Sequence, residues 1–340
     1  MEIKDVVKDI VLPFLPAKTL FRFKLVSKEW YRRINGPFLA HEQSYYFRDL
    51  SGFFCQHDDE NPTFVTLNEN GYGVPTPSLT FLPELVNIVS SCNGLLLCQG
   101  RYGNNSYFIC NPASEKWTEL PCPKFYHGYE PATILAFEPS ALNIEAHYEL
   151  ICAVQILDHP IISFEMYSST SGSWRISETS FVEFGGLSFT GNNFYMNGIA
   201  YWETSQRKVV AFDLKNEFYQ IISLPSEAPS SGVLTQIKGE LCYISVSNFS
   251  GNECSIMICS GIELSLKCLM SVRIGPALDH ITGYRVLPCP DGDTVMILVG
   301  RFIYSYSIGD RSIRVVSRVA SDSVGADKYL AYVNSLVHVA

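Results

Sequence analysis

This 340-residue chain has no run of about 18 apolar residues, the length a membrane-crossing helix needs; its best is Val295–Val299. A helical membrane span is excluded. A secretion leader is not expected either, because five of the first ten residues are charged and a signal-peptide core does not tolerate that density. The expected location is inside the cell, in cytoplasm, nucleus or both. Charge is scarce at 17%, while 47% of residues are hydrophobic and 13% aromatic. Disorder is excluded by that balance, since a disordered chain is poor in apolar residues and rich in charge. Positive charge is in deficit, 25 Lys+Arg against 34 Asp+Glu, for a formal net of −9. Non-specific nucleic-acid binding by the whole molecule is not expected.

The usual signatures of catalysis are missing too. Eleven cysteines, an odd number, without a leader imply reduced thiols acting as small buried hydrophobes. Cys254 and Cys259 have no second Cys or His pair, so zinc is not implied. Gly186-Leu187-Ser188 lacks the following glycine of a nucleophile elbow, and Asp291-Gly292-Asp293 has Phe302 where a calcium loop needs its closing acid. Asn104-Asn105-Ser106 and Asn248-Phe249-Ser250 match a glycosylation pattern that means nothing inside the cell. The seven histidines are scattered, and there is neither a phosphate-cradling glycine loop nor a basic–aromatic stripe. No cofactor, metal site or catalytic residue is implied.

What is present divides unevenly. Residues 1–48 hold nine Lys+Arg against five Asp+Glu, a net of +4, and the remaining 292 hold sixteen against twenty-nine, a net of −13. A basic head precedes an acidic body, with the boundary at 48/49.

Past residue 50 the chain reads as short β-branched and aromatic runs separated by Gly, Pro, Asn, Asp and Ser, an all-β texture. One unit recurs: a large residue ends a strand, six turn residues follow, and another large residue begins the next. Its copies are Cys110/Trp117, Tyr167/Trp174, Phe212/Tyr219, Cys259/Leu266 and Tyr306/Ile313, spaced by 57, 45, 47 and 47 residues at the second anchor. A weaker copy, Val65/Tyr72, lies 45 residues before Trp117. Two-residue turns at Asn93-Gly94, Asn197-Gly198, Lys238-Gly239 and Asp291-Gly292 mark preceding hairpins, because such turns need positive φ. Four strands in about 47 residues is the size of a β-propeller blade. The first anchor pair lacks a turn-hairpin, and Tyr329–Val339, centred on Asn334-Ser335, reads as a hairpin lacking anchors. Pairing these half-blades would remove exposed sheet edges and leave six blades. A β-sandwich with chance periodicity is the alternative.

The head has the opposite texture. Val6, Val7, Ile10, Val11 and Phe14 recur at helical spacing before Leu15-Pro16; Lys18–Val26 reads as a second helix; Ser27 is an N-cap for a third that carries Trp30, Tyr31 and Ile34. About 40 residues make too small a core to stand alone. Such a head needs a partner or the body beside it.

At Leu15–Trp30, LPAKTLFRFKLVSKEW, the chain resembles the F-box of plant F-box proteins, and Pro37-Phe38-Leu39-Ala40-His41 is similar to that family's step into its next domain. The body is similar to the kelch-like F-box-associated domain, through Ser91–Cys98 (SCNGLLLC), Cys110–Pro121 (CNPASEKWTELP) and Tyr167–Arg175 (YSSTSGSWR). The family usually opens with an upstream Leu-Pro, where this chain has Ile3 and Lys4, and Asp5–Pro16 is one residue longer than the common spacing.

The resemblance implies a two-part protein: residues 1–48 an F-box, residues 49–340 an all-β propeller. It implies a substrate-recognition subunit of a ubiquitin ligase, not an enzyme, whose head docks on a Skp-type adaptor and through it a cullin scaffold, while the body holds an unidentified protein substrate. Carried over by position, the adaptor-facing residues are Ile10, Val11, Leu15, Pro16, Leu20, Val26 and Trp30. Propellers bind through loops, and the longest interruption of the repeat makes Phe125, Tyr126, His127, Tyr129, Asp158 and His159 the candidates for substrate contact. The head's charge suits an acidic adaptor, or is a solvated helix face. No Gly/Ser-rich linker separates head from body, which implies a rigid joint. The competing reading is a stand-alone propeller, either a scaffold or an enzyme with dispersed ligands.

Overall fold

The structure, a computed structural model, describes residues 10–57, 60–68, 72–102, 106–156, 159–182, 186–226, 232–250, 253–261, 264–273, 284–289, 292–320 and 328–339. The chain divides into two compact units. One comprises Met1–Val154, Phe164–Ile176 and Ala326–Ala340, the other Gln155–Ser163 and Ser177–Gly325.

In the first unit a 3-10 turn at Leu12–Phe14 leads to α1 (Ala17–Phe23), α2 (Lys28–Ile34) and α3 (Pro37–Tyr46). Val6 and Val7 of the expected first helix lie outside the described residues. Pro16 is extended and starts α1, which stops short of the expected Val26. Ser27 caps α2 as its residue type dictates: its Oγ accepts from the Trp30 N–H at 3.3 Å. The helix α3 stands where the sequence analysis placed no element, between the third expected helix and the body. Its buried positions, Leu39, Ala40, Gln43 and Ser44, have helical period, but two are polar and hide the apolar pattern.

Three sheets follow in chain order. The first combines β1 (Leu50–Gln56) and β2 (Thr63–Thr66) with β23 (Lys328–Val333), in the order β2-β1-β23. The second is β3 (Val86–Cys92), β4 (Leu95–Gly100), β5 (Tyr107–Asn111) and β6 (Lys116–Glu119). The third is β7 (Thr133–Ala136), β8 (Glu149–Gln155), β9 (Ile161–Ser168) and β10 (Ser173–Val182).

The second unit adds three more meanders. They are β11 (Phe189–Met196) to β14 (Phe218–Ser223), β15 (Val233–Ile237) to β18 (Ser265–Arg273), and β19 (Tyr284–Leu287) to β22 (Ser312–Arg318). Among the described residues this makes six sheets, five of four strands and one of three, each of blade type.

The repeat has a direct geometric meaning. Cys110↔Trp117, Phe212↔Tyr219, Cys259↔Leu266 and Tyr306↔Ile313 are opposite one another across adjacent strands. Tyr167 and Trp174 are in ring contact at 5.4 Å. Two places before each second anchor the backbone turns left-handed, at Glu115, Gly172, Glu217, Leu264 and Arg311, with φ of 55°, 63°, 47°, 45° and 55°. That residue reverses the chain and restores the strand twist, so the turn's length is conserved among blades although its sequence is not. The expected two-residue turns hold at Asn93-Gly94, Asn197-Gly198 and Lys238-Gly239, with positive φ at both positions. Asp291 lies outside the described residues.

The chain termini meet in the first sheet: β1 pairs antiparallel with β23, Phe53 opposite Ala331 and Phe54 opposite Leu330. Two details correct the expected half-blades. The C-terminal segment contributes one strand, and Asn334-Ser335 follows it without forming a hairpin. Tyr72 starts no strand; its ring packs on Phe47 at 6.0 Å.

Inner strands are buried on both faces, as β4 is along its whole length, because sheets stack on either side. In the first unit Phe54, Leu96, Phe108, Cys110, Leu330 and Tyr332 form one core cluster, and Leu97, Tyr107, Ile109, Leu135, Tyr167 and Trp174 belong to another. Fully burying each large side chain contributes about 1.5–3 kcal/mol. Of the thiols, Cys55, Cys98, Cys110, Cys152, Cys242, Cys254, Cys259 and Cys289 are buried, and Cys122 is exposed.

Candidate functional site: an exposed helical head and a clamped aromatic loop

The head is amphipathic in three dimensions. Leu12, Ala17, Leu20, Ile34, Leu39 and Ala40 seal against Ala113 and Leu336 of the first unit, with Leu15, Phe21, Phe23 and Trp30 packed at the margin. The seven expected partner-facing residues therefore separate. Ile10, Val11 and Val26 are exposed; Leu15, Pro16 and Trp30 are half-buried, Trp30 lying edge-on to Phe23 at 5.7 Å. Leu20 has no exposed surface, so it belongs to the head's own core and is unavailable to a partner in this conformation. Sequence position missed other exposed large side chains of the head, Phe14, Leu25, Tyr31, Phe38, Tyr45 and Tyr46, of which Leu25 is 89% exposed. Leu25 and Val26 stand in the turn after α1, where no helical period could assign them a face.

A polar clasp joins the head to the segment after the last strand. Gln43 is fully buried; its amide donates to the carbonyls of Leu15 and Asn334, and its Oε1 accepts from the Leu336 N–H at 2.8 Å and the Ser335 hydroxyl. Asn334 answers it: its carbonyl accepts from the Ala17 N–H, its Oδ1 from the Lys18 N–H, and its amide donates to the Gly73 carbonyl. Asn111 completes the clasp by donating to the carbonyls of Ser335 and Val337. Every polar atom of the Gln43 side chain is thus spent on holding helices to sheet, which gives the rigid joint a mechanism.

The loop between β6 and β7 is the second region. Trp174 donates through Nε1 to the Pro121 carbonyl at 2.7 Å. Glu165, buried in β9, accepts from the Lys124 N–H at 2.6 Å, the Phe125 N–H at 2.9 Å and His127 Nε2 at 3.0 Å. The Tyr107 hydroxyl meets His127 Nδ1 at 2.9 Å, and Gln99 donates to the Gly128 carbonyl at 3.0 Å. Burial pushes the Glu165 carboxyl up, but the His127 ring and the two N–H groups outweigh burial and hold it below the ordinary value. The anion is the stable form.

This clamp sorts the expected substrate residues. His127 is a buried strut between Glu165 and Tyr107, and its side chain is 1% exposed, so it cannot be a contact residue. Phe125 is half-buried. Tyr126 and Tyr129 project outward with their rings perpendicular at 6.5 Å. In the second unit His159 is exposed at a turn, its N–H on the Ile156 carbonyl. Asp158 lies outside the described residues. Glu165 was not foreseen, although a lone carboxylate inside the apolar strand IISFEMYS is the mark of a buried acid with dedicated partners. Among the described residues no three His, Cys, Asp or Glu group as metal ligands would.

Residues 77–339 match the family model described as the F-box associated beta propeller domain. Among curated relatives, the F-box protein At5g07610 of Arabidopsis thaliana is 30% identical over 74% of this chain and 66% of its own. The F-box proteins At5g03970 and At5g49610 of the same plant are 25% and 28% identical, over 63% and 64% of this chain and 56% and 63% of theirs. The chain spans less than two thirds of the length of each of these relatives. With the Leu15–Trp30 motif on its helical head and six sheets of blade type behind it, the chain belongs to the plant F-box proteins that carry an F-box-associated β-propeller domain.

Proposed function

We propose that this protein is the substrate-recognition subunit of an SCF-type ubiquitin ligase, acting in the cytoplasm or nucleus. Its head docks on a Skp-type adaptor, the adaptor on a cullin scaffold, and its propeller holds a protein client. The chain performs no chemistry itself. It raises the local concentration of a client lysine beside the ubiquitin carrier, an effective-molarity effect that depends on rigid geometry.

One observation carries this reading: the head's two sets of apolar residues have different fates. Leu12, Ala17, Leu20 and Ile34 are sealed inside, while Ile10, Val11, Phe14, Leu25, Val26 and Tyr31 stay exposed on about 25 residues of chain. The clasp through Gln43 and Asn334 supports the same reading, because a head fixed to its blade presents the adaptor and the client at a set separation.

The test is capture of the full chain by a purified Skp-type adaptor. Val11→Glu and Val26→Glu alter exposed positions and leave the core intact. The expected result is capture by wild type and its loss in both variants. Absence of capture by wild type, or undiminished capture by both variants, would overturn the reading.

A further inference from the structure

Three loop regions at one end of the first unit are tied side by side. Arg101, just past β4, donates to the carbonyls of His57 and Glu60 in the β1–β2 loop, at 3.4 and 2.7 Å. Gln99, at the end of the same strand, donates to Gly128 of the β6–β7 loop. Tyr102 donates its N–H to the Glu84 carboxylate at 3.0 Å. The side chains left outward are of two kinds. Tyr102, Tyr126 and Tyr129 are 61%, 63% and 74% exposed. Glu60 and Glu130 are exposed and Glu84 half-exposed on the same connecting segments; Lys124 is an exposed cation among them, while Arg101 is spent on carbonyls.

Exposed tyrosines on a mobile loop would be unremarkable. These stand on backbone held by Trp174, Glu165, His127 and Gln99, so the ordering cost of a binding loop has already been met in the fold. Tyrosine faces attract guanidinium and ammonium groups, and neighbouring carboxylates strengthen that attraction. The charge of residues 49–340, sixteen Lys+Arg against twenty-nine Asp+Glu, selects the same sign of partner.

We propose that this end of the first unit is the client-binding surface and that it takes an arginine-bearing basic segment of a protein, with guanidinium groups against Tyr126 and Tyr129 and balanced by Glu60, Glu84 and Glu130. The proposal deepens the reading above and rests on it for the word client.

Fluorescence anisotropy of the full chain with a labelled peptide of alternating arginine and serine tests it, beside a matched peptide with glutamine for arginine. Wild type should bind the arginine peptide and not the glutamine peptide. The double variant Tyr126→Ala/Tyr129→Ala should bind about tenfold more weakly, the size expected of two partly desolvated cation–π contacts. Tyr102→Ala and Glu130→Gln should each weaken it less, and Phe218→Ala, at an exposed site of the second unit, should leave it unchanged. Equal affinity of wild type and the double variant, equal binding of the two peptides, or no binding of the arginine peptide overturns the proposal. Adaptor capture, scored in the same preparation, separates the two readings: it reads the exposed residues of the head and not the tyrosines, so either can fail while the other stands.

Discussion

Gln43 and Asn334 are 291 residues apart in the chain, and the side-chain amide of the first donates to the backbone carbonyl of the second at 3.2 Å in a buried site. The head is thereby held by the segment that follows the last strand of the blade on which it sits. An isolated head would lose both its polar anchor and the apolar cover of Leu336.

Gln43→Leu is expected to loosen the head. Leucine fills the volume but leaves the Leu15 and Asn334 carbonyls and the Leu336 N–H without this partner, at a cost of about 1–3 kcal/mol for each buried group left unpaired. Urea unfolding should show a lower midpoint, and trypsin should cut at Arg22 or Arg32 sooner than in wild type.

Glu165→Gln is expected to free the β6–β7 loop in a pH-dependent way. The folded carboxyl lies below its ordinary value, so its contribution is whole at neutral pH and is lost as pH falls through the folded value. The stability gap between wild type and variant should therefore be largest near neutrality and shrink as pH falls below the ordinary carboxylate value of 4.5. A gap that stays constant across that range would refute the anionic clamp.

Lys328 offers the opposite sign. Its ammonium donates to the Ile88 and Val89 carbonyls, and burial lowers it to about 8 from 10.5, with Glu130 opposing. Between those values the unfolded chain holds the proton that the folded chain has released, so the lysine's contribution to stability rises with pH. The unfolding free energy of wild type minus that of Lys328→Met should climb from pH 8 to 10, by up to about 1.4 kcal/mol per unit.

Arg311→Gly is expected to stabilise. Arg311 is exposed with φ of 55°, and Gly172 already fills the equivalent position in another blade. Removing left-handed strain outweighs the entropy that glycine adds to the unfolded chain, for a gain of about 0.5–1 kcal/mol. The urea midpoint should rise. Glu115 and Glu217 are poorer sites, since their carboxylates bond Thr76 and Ser177.

Much of the body is legible because its rules are local. A strand end, a turn of constant length and a strand start recur in order, so the anchor pairs and three of the four two-residue turns could be placed without knowing what packs on them. The weak copy at Val65/Tyr72 misleads for the same reason: spacing alone cannot distinguish a strand start from a ring packed on Phe47. Ser27 is legible as a cap because the bond it makes reaches only three residues along the chain.

The candidate sites are less legible. His127 reads as a loop aromatic until Glu165, 38 residues later, claims its ring. Leu20 matches a docking motif, yet its side chain is consumed by the head's own core. Asn334-Ser335 has turn chemistry, but its polar groups are taken by Gln43, Lys18 and Ser51. In each case the deciding partner is remote in sequence.

The amino-acid order by itself determined the helical head, the repeated blades and the meeting of the terminal strands, because hydrophobic period, turn residues and repeat spacing act over a few residues at a time. Only the tertiary structure decided which head residues stay exposed, which loop aromatics face outward, and that the final segment clasps the head. Those outcomes depend on buried hydrogen bonds between distant residues, whose partners are chosen when the sheets stack and water leaves.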